Sequence, residues 1–280
     1  MAPDRVLREL AASGLDLERL HGNSAKLRLQ LDLAGRLRAG EPRRVLDVGC
    51  AGPLPLNVWE PFVPLADRLE LVGVDVAGVH RAQERAAELG LWLETRELGV
   101  EGVVDAFGSD AFDAVVCTQV LEHLPDWPGA VAAIRDVLRP DGRLYVTCDS
   151  GDLALPALGR ARLAGKRAYA RAWRGLGRRP PTGRLLPSGE WERGPTLEAL
   201  QAAARGLGLD VERAAPYCLR DAKIAQRHAS PEARQLWLAF EEELVADGLD
   251  RDALARFTVL YLRARKPAGA PEGQARAAAN

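Results

Sequence analysis

At 280 residues, with 38 basic and 39 acidic side chains and a formal charge of −1, the chain is long enough to bury one substantial core. That near-neutral balance excludes a generic nucleic-acid coat, which needs a clearly basic domain. The four cysteines (Cys50, Cys117, Cys148, Cys218) show neither pairing nor metal-ligand spacing, no secretory signal opens the chain, and no apolar run reaches the roughly 20 residues that span a bilayer; the expectation is a soluble cytoplasmic protein with no bound metal.

Residues 1–43 predict a helical N-terminal cap. Val6, Leu7, Leu10 and Leu15, then Leu27, Leu29, Leu31, Leu33 and Leu37, sit among charges, and Gly40 and Pro42 close the segment. Next come strand 44–48, strand 69–75, helix 78–89, strand 91–97, strand 112–117, helix 127–138 and strand 143–149. Such alternation implies a parallel sheet covered by helices on both faces. Prolines at 53, 55, 61 and 64 make 53–68 a kinked or looped insert. Helix 127–138 is strongly signalled: Asp126 can cap it, Pro128 suits its first turn, and Val131, Ile134, Val137 and Leu138 line one face. Pro140-Asp141-Gly142 is expected to end it in a tight turn. Residues 151–194 read as a basic lid inserted after the fifth strand, with nine basic and no acidic residues between Arg160 and Arg184. Helix 196–207, strand 210–217, helix 231–246 and strand 256–264 follow, so that 195–266 returns to the sheet domain begun at 44–150. Residues 267–280 read as a loose tail.

The chemistry starts at Arg44-Val-Leu-Asp-Val-Gly-Cys-Ala-Gly52, a short apolar strand carrying Asp47 and breaking at Gly49 and Gly52. Small residues there let a ligand approach the backbone, as in nucleoside-binding turns of α/β sheets. Val72-Gly73-Val74-Asp75 then sets a carboxylate at the sheet's carboxyl edge, where it can accept from a ribose diol. The 28 residues from Asp47 to Asp75 exceed the ~20 of dinucleotide folds. A Gly-x-Gly-x-x-Gly fingerprint would need glycine where Ala51 and Leu54 stand, which argues against a dehydrogenase.

Two further stretches, Phe112-Asp-Ala-Val-Val-Cys-Thr-Gln-Val-Leu-Glu-His-Leu124 and Val137-Leu-Arg-Pro-Asp-Gly-Arg-Leu-Tyr-Val146, complete an ordered set of four. Together they resemble the class I S-adenosylmethionine-dependent methyltransferases, closely over 44–150 and more weakly over 195–265. The resemblance implies an α/β fold with a doubly wound, mostly parallel seven-stranded sheet whose last strand is antiparallel. It also implies S-adenosylmethionine as cofactor, with Asp47, Gly49, Cys50, Ala51 and Gly52 near its methionine portion. Asp75 would hold the ribose, with Val76 beside it. Glu97 would contact the adenine, and Thr118 and Gln119 would lie by the sulfonium and amino-acid end. The family's glycine-rich turn departs here at Ala51 and Pro53.

A hydroxyl acceptor benefits from a general base, and His123 is the candidate, a shaping role being an equal alternative. His21, in the cap, competes with it; His80 reads as an exposed helix start. Arg160, Arg167, Arg171, Arg174 and Arg178 share one helical face, with Tyr169 and Trp173 adjoining. Three readings fit them: a lid for an anionic substrate, contact with an acidic membrane surface through 160–179, or a solvated arginine face. The function implied is methyl transfer to oxygen or nitrogen of a small-molecule acceptor, natural-product or glycan-like, an anionic one among the options. The alternatives are a non-catalytic subunit of the same fold, kept open by Ala51 and Pro53, and an RNA methyltransferase, disfavoured because aromatics are only 5% of residues.

Overall fold

The computed structural model describes residues 2–40, 44–52, 54–153, 165, 168, 172, 194–222, 225–226 and 228–268. Seven strands, β1 (Arg44–Val48), β2 (Glu70–Asp75), β3 (Leu93–Glu97), β4 (Phe112–Thr118), β5 (Leu138–Asp149), β6 (Asp210–Leu219) and β7 (Phe257–Arg265), form one sheet in the order β3-β2-β1-β4-β5-β7-β6. β1 pairs in parallel with both β2 and β4, and β7 runs antiparallel between β5 and β6. The order reverses between β1 and β4. Their carboxyl ends therefore splay around a crevice at the sheet edge, where ligands of open α/β sheets bind.

Among the described residues the helices that flank the sheet are α1 (Ala2–Ala11), α2 (Ser24–Arg38), α3 (Val79–Leu89), α4 (Val103–Phe107), α5 (Trp127–Val137), α6 (Leu197–Gly206), α7 (Pro231–Ala246) and α8 (Arg251–Leu254). Alternation along each strand sends neighbours to opposite faces. Val45, Tyr145 and Tyr261 join one apolar core with residues of α1, α2, α3 and α7, while Leu46, Val115 and Leu262 join the other with α5 and α6. The N-terminal helices thus pack onto a sheet face. Asp32 of α2 accepts from Tyr261 Oη at 2.7 Å and pairs with Arg28 and with Arg263 at 2.9 Å. Glu242 of α7 accepts from Tyr217 Oη and pairs with Arg5 of α1.

Most expected elements form within a residue or two, and their caps follow the expected chemistry. Asp126 accepts from the Gly129 amide and Thr196 from the Ala199 amide. Two regions differ. Residues 60–68 form a 3-10 helix, Glu60–Arg68, with Pro61 in its first turn rather than an open loop. Residues 138–142 belong to β5: α5 stops at Val137, and Pro140-Asp141-Gly142 is not a hairpin-like turn. Asp141 lies at φ +62° and its amide donates to Lys266 O, while the Lys266 amide donates to Gly142 O. The segment is stitched as an irregularity to the chain leaving β7, with a register shift against β4. That partner is 125 residues away in sequence, beyond the reach of local turn chemistry. The basic insert, with Arg160, Arg167, Arg171, Arg174, Arg178, Tyr169 and Trp173, lies outside the described residues, as do Pro53 and all but the start of the tail.

Candidate active site

The turn after β1 is built around Gly49. Its φ is +84°, a region that L side chains avoid, and a Cβ there would lie 2.4 Å from Val120 Cγ2. The Gly49 and Cys50 amides both donate to Val74 O, which laces the turn to the end of β2. One residue on, the Ala51 amide donates to Asp75 Oδ2 at 2.9 Å. Ala51 is buried and lies outside the left-handed region, so the missing glycine costs the turn nothing. Gly52 has no such constraint: a Cβ would meet only Gly49 O at 3.9 Å.

Asp47 lies beneath this turn, and its Oδ2 accepts from Trp59 Nε1 at 2.8 Å. Burial pushes its pKa up to about 6, against the opposing pull of that indole N–H and of the Lys26 ammonium, while Asp75 adds to the rise. Lys26 comes from the cap. Burial lowers its pKa, and Asp47, Glu122, Cys218 and Asp149 act in the other direction. Lys26 forms no salt bridge among the described residues.

A cavity of about 590 Å³ opens beside Lys26 and is lined by His21 and Asn23 of the cap, Gln119 after β4, Cys218 in β6 and Arg234 of α7. Its size suits a drug-sized ligand. Gln30, fully buried in α2, ties two walls together: its Oε1 accepts from the His21 amide and its Nε2 donates to Val58 O. Glu241 fixes a third wall by accepting from the Cys218 and Leu219 amides, Gln226 Nε2 and Trp237 Nε1. Both Gln119 (φ +58°) and Cys218 (φ +65°) hold left-handed backbone at this cavity. Non-glycine residues in that region cluster at functional sites.

His21 and His123 part company here. His21 lines the cavity, its Nδ1 accepts from the Asn23 amide at 3.0 Å, and its pKa falls to about 3 through burial and the nearby Lys26 and Arg234 cations. A neutral ring accepting at Nδ1 carries its proton on Nε2, so His21 offers a donor and no base. His123 is not among the cavity-lining residues; burial lowers its pKa, and its Nδ1 is buried without a partner. His80 is exposed.

The seven-stranded, mostly parallel sheet with flanking helices is a fold that known proteins share. The description "Methyltransferase domain" fits residues 20–214 of the chain. The chain belongs to the class I S-adenosylmethionine-dependent methyltransferase family. It is 35% identical over 120 residues to a ubiquinone biosynthesis O-methyltransferase of Alkalilimnicola ehrlichii, covering 41% of this chain and 46% of that protein. A protein of the same name from Methylococcus capsulatus is 31% identical over 137 residues, covering 46% and 52%. The chain thus spans about half the length of the curated relatives it matches. Among solved structures, a methyltransferase from Methanosarcina mazei superposes with a TM-score of 0.52 at 14% identity, over 82% of this chain and 94% of that one; this likeness shows the fold.

The cofactor of this methyltransferase family is S-adenosylmethionine, and the residues present fit it. Asp75 is a half-buried carboxylate at the edge of β2 beside a turn that only glycine can make at position 49. Gln119 Nε2 is buried without a partner. A zwitterionic amino-acid end needs an acid and a cation, and Asp47 and Lys26 face each other at this turn. Of the other expected residues, Glu97 is exposed and pairs in register with Asp75, Val76 is exposed, and Thr118 is half-buried opposite Thr147. Cys50 is buried with its Sγ against Gly73, and its thiol pKa is pushed up by burial, so it packs rather than reacts.

The sequence reading missed Lys26, Trp59, Glu122 and Arg234. Glu122 is buried, accepts the Asp149 amide through Oε1 and leaves Oε2 without a partner. Burial pushes its pKa up to about 8, with Asp149 adding to the rise. One weak signal for Lys26 exists: it is one of four lysines in a chain that otherwise uses arginine.

Proposed function

We propose that this protein transfers a methyl group from S-adenosylmethionine to an oxygen or nitrogen of a small-molecule acceptor held in the cavity beneath the N-terminal cap. The observation that carries this reading is the convergence of the Gly49 turn, Asp75 and the cavity on one sheet edge. In this reading Asp75 accepts from the ribose hydroxyls while its other oxygen keeps the Ala51 amide. Asp47 and Lys26 receive the ammonium and carboxylate of the amino-acid end. Glu97 and Val76 border the adenine, and Thr118 and Gln119 flank the reacting centre.

The bound cofactor supplies an electrophilic methyl group on a sulfonium. The protein's own contribution is alignment and exclusion of water. Holding an acceptor atom in line can supply up to about 7–11 kcal/mol in favourable cases. His21 orients by donating from Nε2 and does not take a proton. His123, the base suggested by sequence, serves better as a half-buried shaping residue of the segment after β4. The curated relatives are O-methyltransferases by name, which favours oxygen as the atom methylated here.

The test is formation of S-adenosylhomocysteine from S-adenosylmethionine in the presence of a panel of phenols, alcohols and amines. Acceptor-dependent product supports the reading. Cofactor binding with no turnover on any acceptor class favours the non-catalytic subunit.

A further inference from the structure

Among the described residues that line the cavity there is no carboxylate, and His21 and Arg234 present donors to it. His21 spends Nδ1 on the Asn23 amide, which leaves only Nε2–H. Arg234 spends Nη1 on Leu20 O at 2.8 Å, its Nε is buried without a partner, and no carboxylate pairs with it among the described residues. Beside them Asn23 Oδ1 takes the Lys26 amide and Cys218 Sγ–H, and Gln226 Nε2 is turned onto Glu241.

Lys26 and Arg234, the cations among the described lining residues, differ in their surroundings. Burial lowers the Lys26 pKa, and nearby acids, Asp47 first, offset part of that. Arg234 stands on the α7 side beside neutral His21. A neutral, apolar acceptor would leave its guanidinium facing carbon. An oxyanion would be met by the remaining guanidinium nitrogen, Nη2, and an imidazole N–H, charged and neutral donors that suit an anion.

Resting on the methyltransferase reading, we infer that the acceptor carries an oxyanion, a carboxylate or a phosphate, and that Arg234 with His21 seats it at the α7 side of the cavity. The two residues are positioning groups: they hold the acceptor by a group other than the one methylated. This makes anionic small molecules the substrate class and separates them from neutral phenols of the same size.

The experiment titrates the protein first with S-adenosylhomocysteine and then, once saturated, with benzoate, phenyl phosphate and neutral benzamide. The expected result is an anion bound at least about 10-fold more tightly than benzamide, with an advantage that shrinks as salt rises. The better of the two anions identifies carboxylate or phosphate. Arg234→Gln should erase the preference and Arg234→Lys should keep part of it. Equal affinity for benzoate, phenyl phosphate and benzamide, or a preference that survives Arg234→Gln, overturns the inference while leaving the cofactor site intact. Should Arg234→Gln fail to fold, the wild-type comparison alone decides. Failure to bind S-adenosylhomocysteine at the outset overturns the methyltransferase reading, and this inference with it.

Discussion

Trp59 Nε1 donates to Asp47 Oδ2 at 2.8 Å, and both residues are buried under the turn that follows β1. The bond crosses from a proline-rich connection, with no counterpart in a minimal nucleotide fold, to the first acid of the sheet edge. Removing the donor by Trp59→Phe leaves a buried carboxylate short of a partner. The expected loss is about 1–3 kcal/mol in urea unfolding, part of it recovered in the double variant with Asp47→Asn.

Asp47 makes the stability depend on pH. Its pKa in the fold is raised from 3.8 to about 6, so its contribution is fully present below pH 4 and is lost as pH climbs through 6. Asp47→Asn has no such loss and keeps an acceptor for Trp59. A stability gap in favour of the variant should open between pH 4 and 6 and level off above, bounded by about 3 kcal/mol. Lys26 loses a facing carboxylate in the variant, so the measured gap should fall short of that bound. Unfolding curves at several pH values read it directly.

Glu122 has the same sign over a wider window. Burial first, then Asp149, raises its pKa from 4.5 to about 8. The wild type should therefore lose stability relative to Glu122→Gln from pH 5 to pH 8, by more than about 1 kcal/mol. A constant difference across that range would contradict a protonated Glu122 at neutral pH.

The glycines of the turn should separate cleanly. Gly49→Ala forces a Cβ into Val120 and strains a left-handed backbone, costing about 1–3 kcal/mol and weakening cofactor binding. Gly52→Ala meets nothing closer than 3.9 Å and should change stability by less than about 0.5 kcal/mol. Thermal melts of the two variants check this.

The geometry of the turn after β1 was legible in sequence because its residues act locally. Gly49 needs its left-handed turn, and Asp75 ends a strand whose apolar pattern marks its own boundary. The acceptor half was not legible. Lys26 and His21 reach the cavity because α2 packs on the sheet through Asp32, Tyr261 and Arg263, contacts more than 200 residues apart. Arg234 joins them from α7, whose helix was evident but whose docking face was not. His123 illustrates the converse: a titratable residue in a family-like motif, which the fold sets apart from the cavity lining. Ala51 and Pro53 stood as departures from a glycine pattern, and Ala51 proves harmless since its backbone needs no glycine.

The measurement that bears most directly on the cofactor site is calorimetric titration with S-adenosylmethionine and S-adenosylhomocysteine of the wild type and Asp75→Asn. The variant keeps an oxygen for the Ala51 amide and loses the charge offered to the ribose. The expected result is binding by the wild type, at least about 10-fold weaker binding by the variant, and an unchanged melting temperature. A folded, ligand-free wild type that binds neither compound, or a variant that binds both as well as the wild type, would contradict it.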